Sequence, residues 1–327
     1  MVYQIPLALR QRLESFLSRH DVAGGALLQG AEAVSRRYRR EKGESGGGLQ
    51  VTSFDEAAAY AAVRMPATFV AVSDVLGRLR EGHPDFTPLS LLDVGAGPGT
   101  ASHAAHLLYE GLGHSTLIEP NRHLRDVGKA LQDEGCAWEW QDKKLARGAV
   151  LPEADLVVVS YVLNELDVKD IAQVLPLLWN VARGALVIIE PGTPLGAGVI
   201  QQVREWARGE TGAHILAPCP QENECPLARE VGRWCHFSAR AERSRLHKSL
   251  KGGADLGYED EKFSYIIVTR AQGHVFGNRL IGHPSGKKVI DLQLCRETGE
   301  TETVQIPKSN ALHGVVKKLG WGDGFDS

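Results

Sequence analysis

Long hydrophobic runs are missing from this sequence. No stretch approaches the roughly 18 to 20 apolar residues of a membrane-spanning helix, so no membrane span is expected. The opening MVYQIPLALRQRLESFLSRH lacks the apolar core and small-residue cleavage site of a secretory signal, and secretion is not expected either. A surplus of positive charge is also missing. Against 37 Lys and Arg stand 40 Asp and Glu, a net charge of −3, so global charge offers no argument for a nucleic-acid partner and DNA is not expected. Cysteine is scarce and odd in number, five in 327 residues. That excludes a disulfide scaffold and points to a reducing compartment, where thiols serve as ligands, nucleophiles or core filler. There is no internal repeat and no low-complexity tract beyond Gly46 to Gly48. What remains, 43% hydrophobic and 24% charged residues, suits about two soluble domains with a full core.

Leu9, Leu13, Phe16 and Leu17 recur at spacings of three and four and predict one face of a helix. A second helical stretch, Ala26 to Lys42, ends in the basic run Arg36 to Arg40, and Gly43 to Gly48 reads as a flexible connector. Ser53 followed by Glu56 forms a capping box ahead of an alanine-rich helix that should kink at Pro66 and run to about Arg80. From Leu89 the texture changes. Short apolar runs at Leu89 to Val94, Ser115 to Glu119, Ala137 to Trp140, Asp155 to Ser160 and Ala185 to Glu190 alternate with helix-length intervals. This predicts a parallel sheet covered by helices on both faces. Later strands are expected at Phe263 to Arg270, Lys288 to Leu294 and Thr303 to Ile306.

The run Leu91-Leu92-Asp93-Val94-Gly95-Ala96-Gly97-Pro98-Gly99-Thr100 ends a strand and opens a helix through three glycines. Such a turn lets a cofactor approach bare backbone at a helix N-terminus. Glu119 follows Gly99 by twenty residues, at the end of the next strand, where a carboxylate can accept from ribose hydroxyls. The GxGxG spacing with Asp93 ahead of it resembles the first motif of S-adenosylmethionine-dependent methyltransferases. Asp142 resembles the acidic residue such enzymes place near the adenine. The cofactor-binding set is therefore Asp93, Gly95, Gly97, Gly99, Glu119, Asp142 and Ser160. Tyr161 and Asn164, after the fourth strand, are the candidate catalytic residues. They would receive a substrate, or else shape the pocket.

Four cysteines crowd the second half. Cys219, Cys225 and Cys235 lie close together and Cys295 lies sixty residues on. Thiolates in fours bind soft metals; zinc prefers tighter knuckles, while an iron–sulfur cluster tolerates dispersed ligands because it offers several irons. Both metals stay open on spacing, as do buried free thiols, the reading that suits Cys136. Pro218-Cys219 as a nucleophile has no second matching motif.

LLDVGAGPGT, SYVLNEL, IIEPGTPLG, APCPQENECPL, RWCHFSAR, EDEKFSYIIVTR and KKLGWGDG occur in this order from about Ser53 onward. In them the chain resembles the methyltransferase-like family of small-subunit ribosome assembly factors, departing from it at Gly286-Lys287-Lys288-Val289. The resemblance implies a core that holds S-adenosylmethionine and a [4Fe-4S] cluster on Cys219, Cys225, Cys235 and Cys295. It also implies association with the small ribosomal subunit and its rRNA, in a bacterial cytoplasm or, for a eukaryotic chain, the mitochondrial matrix. Catalysis is not implied. The residues add their own argument for RNA. Between Arg229 and Lys251 there is an excess of five positive charges, with Arg229, Arg233, Arg240, Arg243, Arg245 and Lys248 as phosphate contacts and Trp234, His236 and Phe237 for stacking. Arg36 to Arg40 would form a second contact.

The expected fold is α/β, a doubly wound, Rossmann-like methyltransferase core. N-terminal helices would occupy residues 1–85 and the core residues 86–270, with a Cys-rich insertion at about 210–260 following the fifth strand. A β-rich C-terminal region, residues 271–327, would supply the fourth cysteine, in a monomer. Two rival functions are an active rRNA base methyltransferase and a small-molecule methyltransferase with a structural zinc site.

Overall fold

A computed structural model describes residues 3–19, 29–30, 51–244, 247–248 and 256–326. Most of the expected second helix, its basic run Arg36 to Arg40, the glycine connector and Arg245 lie outside the described residues. Helix α1 (Leu7–Arg19) buries the predicted stripe of Leu9, Leu13, Phe16 and Leu17. Ser53 caps α2 (Phe54–Val63), its hydroxyl accepting from the Glu56 N–H at 3.2 Å. The Glu56 carboxylate reaches one residue further back than a capping box requires, accepting from the Thr52 N–H at 2.8 Å. At Arg64 the chain bends by 52° into α3 (Met65–Gly82), whose first turn holds Pro66. Proline is tolerated there because first-turn amides lack intrahelical partners. Both helices are buried in the core, and among the described residues no single helix is long and apolar enough to cross a membrane.

The main sheet contains β1 (Ser90–Val94), β2 (His114–Ile118), β3 (Ala137–Gln141), β4 (Ala154–Ser160), β5 (Ala182–Pro191), β6 (His214–Ala217), β7 (Phe237–Glu242) and β8 (Tyr258–Thr269). Its order is β3-β2-β1-β4-β5-β8-β6, with β7 paired to β8. Strands β1 to β5 are parallel, and β8 enters antiparallel between β5 and β6. The late strand expected at Phe263 to Arg270 is thus the C-terminal half of β8, with Phe263 to Thr269 in register with Pro191 to Ala185. Its other half projects beyond β5 and forms a hairpin with β7.

Strand alternation divides the core in two. Leu156 and Val158 of β4 face α1, α2, α3, α4 (Thr100–Leu108) and α5 (Arg122–Leu131). Val157 and Val159 face α6 (Val168–Val181) and α7 (Pro194–Gly209). Each fully buried aliphatic side chain contributes about 1.5–3 kcal/mol, so the N-terminal helices are structural cover for one sheet face. The order reverses between β1 and β4, and it is there, past the strand C-termini, that a doubly wound sheet leaves a crevice.

Helix α7 and strand β6 stand between β5 and the cysteine-bearing segment, which begins at Pro218. The C-terminal residues form a second sheet, β11-β10-β9-β12, from β9 (Asn278–Leu280), β10 (Val289–Arg296), β11 (Thr301–Pro307) and β12 (Gly324–Phe325). It has a core of its own, Leu280, Ile290, Leu292, Leu294 and Ile306 with Val316 from the one-turn helix α8 (His313–Val316). Arg78 of α3 reaches Asp323 at 2.7 Å and ties this sheet to the main body.

Candidate functional site

The crevice at the β1/β4 reversal is a cavity of about 580 Å³ lined by Gly95, Gly97, Glu119, Ser160, Tyr161 and Lys143 among others. That is within the usual range for a small-molecule site. Gly95, Gly97 and Gly99 all have positive φ, 70°, 55° and 83°, where a side chain is strained. Their surroundings differ. A Cβ on Gly95 would lie 2.3 Å from Val162 Cγ2, whereas one on Gly97 would meet nothing within 4 Å, so Gly97 offers its backbone to the cavity. Glu119 organises this turn, accepting from the Gly97 N–H at 2.9 Å and the Asn121 N–H at 2.8 Å. Burial raises its carboxyl above the ordinary range while the two amides pull it down. An ionised carboxylate has about four acceptor positions, and two are left for a ligand.

Asp93 does not face the cavity. It is fully buried beneath the turn, where one oxygen accepts from the Ser102 N–H and hydroxyl at 3.1 and 2.8 Å. Burial pushes its carboxyl up to about 7. Its place is structural support for the glycine loop. Asp142 is exposed and held by Arg125 at 2.8 Å. It does not line the cavity, although its neighbours Lys143 and Lys144 do. Tyr161 has φ +61°, the one non-glycine residue with positive φ among the described residues. Its hydroxyl donates to Glu261 of β8 at 3.1 Å, and Glu261 is itself held by Arg64 at 2.9 Å. Asn164 sits in a short turn after β4, and its Oδ1 is buried without a hydrogen-bond partner. Beneath this turn Glu190 is fully buried, accepting from the Leu163 N–H at 2.8 Å, with a carboxyl that burial pushes up to about 8.

A second cavity, of about 370 Å³, lies beyond the C-terminal end of β5. Cys219, Cys225, Cys235 and Cys295 all line it, together with Arg204 and Arg279. Three chain segments deliver them. Cys219 follows β6, and Cys225 caps a short turn over Pro226–Arg229. Cys235 precedes β7, its carbonyl accepting from the Ser264 hydroxyl at 2.8 Å. Cys295 lies in β10, opposite Arg279. Burial pushes the Cys295 thiol up to about 12, and the neighbouring cysteines add to it. Burial and the same crowding raise Cys235, whereas Arg204 works against burial at Cys219. Among the described residues no three His, Cys, Asp or Glu side chains are close enough to hold a single metal ion. Cys136 lies elsewhere, beside His106 at 4.0 Å.

A family model described as mitochondrial small ribosomal subunit Rsm22 matches residues 54–326. The chain belongs to the Rsm22 family. It is 26% identical over 227 residues to the human mitochondrial ribosome assembly protein METTL17, covering 64% of this chain and 48% of that protein. It is 27% identical over 327 residues to the Rsm22-cox11 tandem protein 2 of Schizosaccharomyces pombe, covering 82% and 42%. The chain thus spans about half or less of these relatives. Among solved structures, similar chains include the magnesium protoporphyrin IX methyltransferase of Synechocystis PCC 6803 with bound S-adenosylmethionine (TM-score 0.40, 13% identity, 72% of this chain and 90% of that one). Another is the plantazolicin methyltransferase BpumL (TM-score 0.43, 8% identity, 76% and 97%).

In this Rsm22-family chain the basic segment after Arg229 carries less free charge than its sequence suggests. Arg229 pairs with Glu224, Arg233 with Glu230 at 2.6 Å, Arg240 with Asp260 at 2.8 Å and Arg243 with Glu259 at 3.3 Å. The β7–β8 hairpin brings Asp260 and Glu259 across from the arginines. The first three pairs are exposed and exchange readily for phosphate, whereas Arg243 and Glu259 are largely covered. Phe237 is not available for stacking; it is 1% exposed and packs on Phe263 and Tyr265. As the first residue of β7 it points into the core. Trp234 stays partly exposed, stacked on His236 at 5.5 Å. Arg204, Arg279, Glu190 and the Tyr161–Glu261–Arg64 chain went unnoticed in the sequence, because nothing local marks an arginine or glutamate as buried.

Proposed function

We propose that this protein is an assembly factor for the small ribosomal subunit that binds its rRNA, holds S-adenosylmethionine in the β1/β4 cavity and carries a [4Fe-4S] cluster on Cys219, Cys225, Cys235 and Cys295. The observation that carries this reading is the meeting of four cysteines from three chain segments at one cavity, in a chain of the Rsm22 family. Tetrahedral zinc needs its thiolates about 3.8 Å apart, from a zinc–sulfur distance of about 2.3 Å. The cysteines reach one cavity from three dispersed segments, an arrangement that suits a cluster whose ligands bind separate irons. With all four ligands used, no iron is left open, and the cluster's work is to staple the C-terminal sheet to the segment that carries Trp234 and the arginines.

The β1/β4 cavity fits a nucleoside cofactor. Gly97 presents open backbone, and Glu119 keeps two acceptor positions for ribose hydroxyls. When bound, S-adenosylmethionine supplies an electrophilic methyl group. The residues here orient and do not activate. Tyr161 keeps its hydroxyl on Glu261, and the Asn164 Oδ1 is buried without a partner, as is one oxygen of Glu190 beneath the turn. A second reading, an active rRNA methyltransferase, is favoured by Tyr161, which lines the same cavity as Glu119 and would receive a base extruded at a cost of a few kcal/mol.

Anaerobic purification with iron, sulfide and zinc analysis tests the first reading. Iron and sulfide near about four each are expected, and one zinc without sulfide overturns the cluster. Product mass after incubation of small-subunit rRNA with the methyl donor separates the two readings. An unmodified mass is expected for the assembly factor, and a single methyl addition moves the case to the enzyme. The curated relatives are named as mitochondrial, which supports the matrix as the compartment of a eukaryotic chain.

A further inference from the structure

Two arginines are buried at the cysteine cavity, and nothing in the proposed function uses them. Arg204 of α7 and Arg279 of β9 are each 2% exposed, and both line the cavity with the four cysteines. A buried charge costs several kcal/mol unless an opposite charge answers it. Arg204 donates from Nε to Cys219 Sγ at 3.3 Å and from Nη2 to the carbonyls of Gln221 and Asn223. Its one carboxylate, Glu205, lies at 3.4 Å and faces solvent. Arg279 is more exceptional. Its Nε donates to the Pro218 carbonyl at 2.8 Å and its Nη1 to the Gly322 carbonyl at 2.9 Å, and no carboxylate pairs with it among the described residues. Two carbonyls take up two of its N–H groups and leave its charge unanswered. In the β9–β10 register it stands directly opposite Cys295, so the unanswered charge sits where the thiols meet.

We propose that Arg204 and Arg279 are the counter-charges of the four-thiolate cluster and set its reduction potential. This rests on the cluster reading above. A four-iron, four-sulfide core on four thiolates carries a net charge of roughly −2, which two guanidinium groups neutralise. In the redox step the core takes one electron from an external one-electron donor; no bond breaks and no proton moves. Fixed positive charge and an N–H donated to a ligand sulfur both favour the reduced, more negative centre. The cavity is therefore built to keep the cluster reducible.

The test uses the full chain, reconstituted anaerobically, as wild type, Arg279→Met, Arg279→Lys, Arg204→Met and Arg204→Lys. Iron and sulfide are measured first, and the potential is then followed by electron paramagnetic resonance during a dithionite titration. Each methionine variant is expected to need a lower potential, its ratio of reduced to oxidised cluster at a fixed poise falling about tenfold, equivalent to ~59 mV for one electron. Each lysine variant should stay near wild type. A methionine variant of Arg279 that keeps its cluster and titrates like wild type overturns the counter-charge role and leaves the cluster reading intact. If the methionine variants lose the cluster, retention by the lysine variants supports the proposal, whereas loss from both assigns the arginines a packing role and overturns it. A wild-type chain without iron and sulfide removes the cluster and the proposal together.

Discussion

Glu119 and Glu190 are both buried carboxylates, yet they do different work. Glu119 holds two amides of the glycine turn and keeps spare acceptors toward the cavity. Glu119→Ala should weaken S-adenosylmethionine binding ten- to hundredfold, the about 1.5–3 kcal/mol of hydrogen bonds to a charged group; calorimetry reads this directly, and an unchanged affinity would take ribose recognition away from this residue. Glu190 has no such outlet, with one oxygen unpartnered and a carboxyl raised to about 8 by burial. Because the fold prefers its neutral form, the stability it contributes is complete below the ordinary carboxylate range and is lost as pH rises toward that value. Thermal midpoints should fall between about pH 5 and about pH 8, and Glu190→Gln should flatten that fall. A slope identical in the variant would assign it elsewhere, Asp93 being the next group raised in the same way. Glycine spacing and Glu119 were legible because turn geometry imposes them locally. Asp93 was legible as important, and only the fold shows that it supports the turn from beneath. Nothing in the sequence around Arg279 distinguishes a buried guanidinium from a surface one.

At the level of elements, periodicity carried far. The α1 stripe predicted from Leu9, Leu13, Phe16 and Leu17 is the buried face, and Phe16→Ala should cost about 3–5 kcal/mol in denaturant unfolding. Ser53→Ala, at the cap of α2, should cost about 1 kcal/mol. If the Phe16 variant unfolds with the wild type, α1 does not belong to the main core. The five parallel strands were plain because each is an apolar run bounded by breakers. Strands β6 and β7 were not. β6 is four residues long, and β7 (Phe-Ser-Ala-Arg-Ala-Glu) shows its charged side to solvent and so reads as part of a basic run. The acids that answer Arg240 in this strand and Arg243 just after it come from β8, about twenty positions away along the chain, a distance that no local charge count spans.

For the whole molecule, the RNA question becomes one of ion exchange. Arg229, Arg233 and Arg240 are paired, so phosphates must displace Glu224, Glu230 and Asp260. Binding of single-stranded small-subunit rRNA should therefore weaken steeply with salt. Replacing all three arginines with alanine should reduce the slope of log affinity against log salt by about 2, at about 0.7 per phosphate contact. An unaltered slope would move the RNA surface off this segment.

The distribution of the cysteines along the chain also has a consequence in time. Three of the four cysteines lie before β7 and the fourth lies sixty residues later, in β10. At about 5–20 residues per second of synthesis, Cys235 precedes Cys295 by roughly 3 to 12 s. Throughout that interval a nascent chain carries three of the cavity's four thiols, open to oxidants and to stray metals. The proposed centre therefore waits for synthesis to pass Cys295, and a loaded cavity would record that translation of this chain had reached its second sheet.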